Sequence, residues 1–180
     1  MVYVFLAEGF EIVEALAPVD ILKRAGIDVY TVSITDNVIV ESSNRTKVYA
    51  DKTIEEIDFE KGKMLVLPGG LPGADNLAGC EKLVKELVRY NEEGKLLGAI
   101  CAAPYVLGIN NILVGKKATC YPGFESKLHG AEYTGDKVTV SENVVTSCGM
   151  GASIEFGLEL VKKLVGDKIS AEVAEKIRFF

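Results

Sequence analysis

The stretch Leu96-Leu-Gly-Ala-Ile-Cys-Ala-Ala-Pro104 constrains the fold most, because it carries no charge and changes character at Cys101. Leu96 to Ile100 is a compact apolar run preceded by Gly94, which suits a strand buried on both faces of a parallel sheet. From Ala102 on, the chain reads as a helix start. Pro104 is tolerated in the first turn of a helix, where its missing N–H would have no partner. Cys101 is therefore predicted where a buried strand turns sharply into a helix, the geometry of a nucleophile elbow. Backbone N–H groups and the positive end of the helix dipole would favour the thiolate there and lower the thiol pKa. The alternative reading is a small core residue, since free cysteines are commonly buried.

Apolar runs alternate with helical patterns along the rest of the chain. Val2 to Ala7 reads as a first buried strand, broken at Glu8-Gly9. A helix is predicted from Glu11 to Ala25, with Ile12, Val13, Leu16, Val19 and Leu22 near helical spacing and Gly26 as its stop. Pro18 lies inside it and should kink it, since it cannot bond the carbonyl of Glu14. Asp28 to Ile34 reads as a second strand. Val38 to Glu41 and Lys47 to Tyr49 read as a short hairpin. Lys63 to Leu67 is a further buried strand, followed by Pro68-Gly-Gly-Leu-Pro-Gly73, a shaped loop with exposed backbone donors. Glu81 to Glu93 is an amphipathic helix with Leu83, Val84, Leu87 and Val88 inward. Lys116 to Cys120 is a short strand, and Glu132 to Tyr133 is expected to pair with Lys137 to Thr139 around Gly135-Asp136. Asn143 to Ser147 is a last buried strand. Ser153 to Val165 is a helix with Ile154, Leu158, Val161 and Val165 inward, and Ala171 to Ile177 a terminal helix.

This order predicts one α/β domain over residues 1–180, with a mainly parallel sheet covered by helices on both faces. In such sheets ligands bind outside the carboxyl ends of the strands. Glu8-Gly9, Pro68-Gly69-Gly70, Cys101 and Ser147-Cys148-Gly149 then share one rim, with Glu14 in the helix leaving it. A thiol, a carboxylate and glycine-rich backbone donors converge, which favours the reactive reading of Cys101. A solvated first-turn glutamate would also explain Glu14, as it would Glu11.

Charge narrows the partners. With 20 Lys and Arg against 26 Asp and Glu, the net charge is −6, and no basic cluster stands out. Nucleic acid and anionic membranes are therefore not expected. The first residues lack a basic segment and meet Glu8 too soon for a signal peptide, and no apolar stretch is long enough to span a bilayer. A cytoplasmic location is expected. The four cysteines form no C-x-x-C pair and there is one histidine, so neither a metal site nor a disulfide framework is expected.

Several motifs together resemble the ThiJ/PfpI superfamily, in the branch of the Parkinsonism-associated protein deglycase and its bacterial relatives. They are Glu14-Ala-Leu-Ala-Pro-Val-Asp20 with Arg24-Ala-Gly26, Leu67-Pro-Gly-Gly70 with Gly73-Ala-Asp-Asn-Leu77, Ala99-Ile-Cys-Ala-Ala-Pro104, and Thr146-Ser147 with Gly149 and Gly151-Ala-Ser153. The resemblance runs end to end. It implies a flavodoxin-like three-layer sandwich, a homodimer, Cys101 as the reactive thiol and a protonated Glu14 hydrogen-bonded to its sulfur. It also implies that Gly70 and Ala102 supply N–H groups to an oxyanion. Gly69, Tyr121 and Cys148 are expected to line the pocket. The chain departs from the pattern at Tyr121, where relatives often carry a histidine before the proline, and at Cys148, where they carry an anion-binding arginine. The partner arginine on the early hairpin falls near Asn44 or Arg45. His129 lies beyond the Pro122-Gly123 turn and is not expected near Cys101.

The resulting expectation is a cysteine-dependent glyoxalase or deglycase. It would need no cofactor or metal, act on small carbonyl substrates such as methylglyoxal or their adducts, and serve stress protection. The alternatives are an oxidation sensor or chaperone-like protein without turnover and, last, an intracellular cysteine peptidase. Cys101 is expected to alkylate fastest and to oxidise to the sulfinate. Cys148 is the rival disulfide partner, and Cys120 faces away from the site if Tyr121 faces it.

Overall fold

The protein is described by a computed structural model covering residues 1–180. In chain order the main elements are β1 (Val2–Leu6), α1 (Ile12–Arg24), β2 (Val29–Ser33), β3 (Ile39–Glu41), β4 (Lys47–Tyr49), β5 (Lys52–Thr53), β6 (Met64–Leu67), α2 (Gly73–Gly79), α3 (Glu81–Glu92) and β7 (Leu96–Ile100). They continue with α4 (Pro104–Ile109), β8 (Lys117–Ala118), β9 (Glu132–Tyr133), β10 (Val138–Ser141), β11 (Val144–Ser147), α5 (Ser153–Val165) and α6 (Asp167–Lys176). The main sheet has seven strands in the order β10-β11-β7-β6-β1-β2-β5. Every pairing in it is parallel except β10 with β11. Its parallel core, β2-β1-β6-β7-β11, is the flavodoxin-like arrangement. The direction of winding reverses between β1 and β6, and ligands bind at such a switch point.

Alternation along the strands builds two cores. Tyr3 and Phe5 of β1, Leu65 and Leu67 of β6 and Leu97 and Ala99 of β7 face one side, against Leu77, Leu83, Leu87, Tyr90 and Val106 from α2, α3 and α4. Val2, Val4, Leu6, Met64, Val66 and Ile100 face the other, against Ala15, Val19 and Leu22 of α1 and Phe156, Leu160 and Val161 of α5. The result is the expected three-layer sandwich. Gly157 sets the spacing of α1 and α5, since a Cβ there would lie 2.8 Å from Ile21 Cδ1 and 3.2 Å from Pro18 Cα. Helix α1 runs through Pro18, which is buried in this contact.

Four sequence expectations are corrected. Glu132–Tyr133 does not pair with the segment after Asp136 but runs parallel to β8, while Val138–Ser141 forms a four-residue antiparallel ladder with β11. Two residues, Glu142 and Asn143, join the strands of that ladder, with Glu142 at a φ of 50° in the turn. In α5 the buried stripe is Ser153, Phe156, Gly157, Leu160 and Val161, with Leu158 at its margin. Ile154 and Val165 are exposed, since Ile154 sits one step off that stripe and Val165 is the last helical residue. The glycine-rich loop is shorter than expected, because Gly73 to Gly79 form helix α2. The terminal helix starts earlier, at Asp167.

Candidate active site

Cys101 sits between β7 and α4 with a φ of 65°, a left-handed conformation for a residue with a side chain. Such a backbone costs about 1–3 kcal/mol and persists only where the surroundings hold it. Two backbone bonds hold it here. The Cys101 N–H donates to the Ser147 carbonyl at 2.8 Å, and the Tyr121 N–H donates to the Cys101 carbonyl at 2.7 Å. The strand-to-helix corner read from Ile100-Cys101 and Pro104 is therefore present, with Pro104 the first residue of α4.

Glu14 arrives from the other side of the switch point. It is 1% exposed and lies in the first turn of α1. The Glu11 carboxylate caps that helix by accepting the Glu14 N–H at 2.7 Å. The Gly69 N–H donates to Glu14 Oε2 at 3.0 Å, and the Met150 N–H also points to this carboxyl. Glu14 in turn hydrogen-bonds the Cys101 thiol. The N–H groups of Ala102 and Gly70 complete the surroundings of the sulfur, and neither donates to a backbone carbonyl.

Glycine is dictated at two positions. A Cβ on Gly69 would lie 2.7 Å from Cys101 Cβ and 2.7 Å from Glu14 Oε2, so no side chain fits between the pair. Gly70 has a φ of 88°, and a Cβ there would stand 2.5 Å from the Glu11 nitrogen. The loop after β6 thus presses against Gly9, Phe10 and Glu11, and this contact brings α1 to the thiol.

The electrostatics run partly against the sequence expectation. Burial pushes the Glu14 carboxyl up to about 7, helped by the Glu11 charge and opposed by its hydrogen bonds to Cys101, Gly69 and Met150. Burial likewise pushes the Cys101 thiol up to about 12, reinforced by the negative charge of Glu14 and opposed by the Ala102 and Gly70 N–H groups. The expected lowering of the thiol is not what the site produces: the Ala102 and Gly70 N–H groups act in that direction but are outweighed by burial and by the neighbouring carboxylate. The repulsive contribution vanishes when Glu14 holds a proton. The thiolate therefore belongs to the state in which the carboxyl is protonated and donates to the sulfur, and the two groups titrate as a pair.

The remaining expected residues divide. Tyr121 and Cys148 both line a cavity of about 610 Å³ next to the corner, together with Met150. Cys120 is fully buried in the core and borders the same cavity, whose lining includes neither Cys101 nor Glu14. Strand alternation does not reach it, because β8 ends at Ala118. His129 is exposed on the connection before β9, and the groups bonded to Cys101 are Glu14, Ala102 and Gly70. The contribution of the Met150 N–H carried no sequence signal, since any residue type supplies it. The capping role of Glu11 was visible as an acidic residue at a helix start.

Residues 1–163 match the DJ-1/PfpI family. The chain belongs to the DJ-1/PfpI family. It is 41% identical over 162 residues to the Arabidopsis thaliana Protein DJ-1 homolog A, covering 89% of this chain and 41% of that longer protein. The chain thus spans about two fifths of the length of this relative. It is 33% identical over 162 residues to the Caenorhabditis elegans protein named glutathione-independent glyoxalase DJR-1.2, covering 88% of this chain and 85% of that one. Among solved structures it resembles oxidized Toxoplasma gondii DJ-1, with a TM-score of 0.94 and 35% identity, over 99% of this chain and 97% of that one. This DJ-1/PfpI chain also has no helix long and apolar enough to cross a membrane.

Proposed function

We propose that the protein is a cofactor-independent glyoxalase in which Cys101 is the nucleophile and Glu14 the proton carrier. The observation that carries this reading is the buried Glu14 carboxyl hydrogen-bonded to a thiol held at a positive φ. With the proton on Glu14, the Cys101 thiolate adds to the aldehyde carbon of an α-oxoaldehyde and forms a hemithioacetal. The Ala102 and Gly70 N–H groups stabilise the alkoxide oxygen. Glu14, ionised after giving its proton to that oxygen, removes the proton from the former aldehyde carbon and returns it to the neighbouring carbon, while the hydroxyl proton of the enediol passes from the first oxygen to the second. The adduct becomes a thioester of the 2-hydroxy acid, which water cleaves to release the acid and regenerate the thiol. From methylglyoxal and water the product is lactate. A carboxyl displaced to about 7 suits both halves of this transfer, because it exchanges protons readily near neutral pH.

The name of the Caenorhabditis elegans relative supports this reaction class. The same adduct chemistry extends to glycated amino groups, as in a deglycase. The proposed working unit is a homodimer of one-domain chains in the cytoplasm. An oxidation sensor is the second reading, since the same N–H groups and protonated Glu14 would receive sulfinate oxygens on Cys101. A peptidase is disfavoured by the absence of an imidazole among the groups bonded to Cys101.

The test is lactate formation from methylglyoxal by wild type, Cys101→Ala and Glu14→Gln. Turnover by wild type and its loss in both variants is the expected result. A wild type that forms no lactate, yet gains two oxygens on Cys101 under mild peroxide, would replace the enzyme by the sensor.

A further inference from the structure

The cavity beside Cys101 is larger than methylglyoxal needs. At about 610 Å³ it falls in the size range of small-molecule pockets. Its wall carries Tyr121, Tyr133 and Met150, which are 51%, 44% and 54% exposed. Large apolar side chains left open around one concavity mark a binding surface rather than scattered surface residues. Three backbone links tie this wall to the reactive pair. Tyr121 donates to the Cys101 carbonyl at 2.7 Å, Cys148 follows Ser147, whose carbonyl accepts the Cys101 N–H at 2.8 Å, and the Met150 N–H points to Glu14. The Tyr121 ring lies over Gly149, where a Cβ would stand 3.3 Å from Tyr121 Cδ2. Gly149, at a φ of 153°, therefore leaves room for the ring at the edge of the cavity.

The wall is also nearly uncharged. Burial pushes the Cys120 thiol up to about 11 and also raises the Tyr133 hydroxyl, so both stay neutral at pH 7. Lys137 is the one charged residue on the wall, and its carbonyl accepts from Ser147 Oγ at 2.8 Å and from the Cys148 N–H at 3.0 Å. Neither Cys101 nor Glu14 lines this cavity, which reaches them through the backbone links of Tyr121, Ser147 and Met150, whereas a second cavity, about 550 Å³ between α5 and the C-terminal residues, has no such link and is lined by several charges.

We infer that the Tyr121–Tyr133–Met150 cavity is a side-group subsite, which selects α-oxoaldehydes bearing an uncharged aryl or branched alkyl group over acidic or minimal ones. This inference rests on the glyoxalase reading for its substrates, while the binding surface stands on its own geometry. The aldehyde carbon would meet Cys101 while the substituent lies between the tyrosine rings and Met150. Burying a phenyl group adds hydrophobic and ring–ring contact that a methyl group does not make. The subsite raises kcat/KM for such substrates by about tenfold over methylglyoxal.

Two variants outside the reactive pair test it. A Cβ on Gly151 would meet nothing within 4 Å, and Gly151 lines the cavity, so Gly151→Leu adds bulk there from an unobstructed Cβ. Tyr133→Ala removes one aromatic wall. Expected are about tenfold losses of kcat/KM for phenylglyoxal in both variants, with methylglyoxal turnover changed less than about twofold. Acetophenone, which resembles the aryl end but lacks the aldehyde, gives a readout without turnover. In Cys101→Ala it should shift the NMR signals of Tyr121, Tyr133 and the Met150 methyl, and Tyr133→Ala should weaken its binding. Turnover of neither aldehyde, with acetophenone still in the cavity, would sink the glyoxalase reading and leave the apolar site standing. Equal kcat/KM for the two aldehydes, acetophenone shifts elsewhere, or a preference for glyoxylate through Lys137 would overturn the inference.

Discussion

Replacing Gly69 by alanine puts one methyl group between the two side chains of the site. The added carbon would start 2.7 Å from Cys101 Cβ, 2.7 Å from Glu14 Oε2 and 3.0 Å from the Ile100 carbonyl oxygen. Carbon–carbon contacts settle near 3.5–4.0 Å, so the pair must separate by about 1 Å. None of the three neighbours is the free end of a flexible chain. One is fixed at the elbow, one belongs to a carboxyl held by the Gly69 N–H, and one is backbone. Overpacking of this kind costs about 1–3 kcal/mol, which lowers the urea midpoint by about 1 M. A misplacement of about 1 Å in a reacting pair costs about 10²-fold in rate. Gly69 has no positive φ, so alanine adds no backbone strain to confuse the result. Gly79→Ala is the control, because a Cβ there meets nothing within 4 Å. Urea melts and methylglyoxal kinetics on the two variants give the answer. A Gly69→Ala protein with the wild-type midpoint and wild-type kcat/KM would refute the claim that Gly69 spaces Cys101 from Glu14.

Three further outcomes follow from the same contacts. Glu14 is displaced from 4.5 to about 7 by folding, so the folded state holds its proton more tightly than the unfolded chain. The associated stability, on the order of 3 kcal/mol, is present below pH 4.5 and lost as the pH rises to about 7. Urea midpoints against pH should show that fall in wild type and lose it in Glu14→Gln. The same variant removes the charge that raises the thiol, so iodoacetamide should label Cys101 about tenfold faster at pH 8 than in wild type. Peptide mapping showing slower labelling would mean that Glu14 lowers the thiol pKa instead. Tyr90 is fully buried and its hydroxyl donates to the Phe59 carbonyl at 2.6 Å. The same carbonyl also accepts the Gly62 N–H at 3.1 Å, so Tyr90→Phe removes one of its two hydrogen bonds and should cost about 0.5–1.5 kcal/mol in a chemical melt, with turnover unchanged.

The apolar runs at Val2, Lys63, Leu96 and Asn143 were enough to place the parallel strands, because strands buried on both faces leave a contiguous apolar record. The elbow was legible for the same reason, with Pro104 marking the helix start. What depended on contacts across space was not legible. The pairing of Glu132–Tyr133 with β8 is held by Glu132 N–H to Lys116 carbonyl and Thr134 N–H to Ala118 carbonyl, and neither bond involves a distinctive side chain. Helix α2 was hidden by glycines at both of its ends. The thiol shows the limit most clearly. Its place at a helix start could be read from residue types, but the burial and the nearby carboxylate that outweigh that start arise from β1, β6 and β7 meeting at one rim. Gly69 stood out as a glycine without revealing which two atoms it keeps apart.

The central claim is that carbon–sulfur bond formation at Cys101 precedes acid release. Rapid mixing of the protein with methylglyoxal, acid quenching and peptide mapping tests it directly. The Cys101 peptide should gain the mass of one methylglyoxal, and this adduct should rise and decay at the rate at which lactate forms. In Glu14→Gln the adduct should form and persist, because the proton transfer that follows addition is removed. Lactate formed at the wild-type rate by Cys101→Ala, or an adduct confined to Cys148 or to lysine while lactate accumulates, would contradict it.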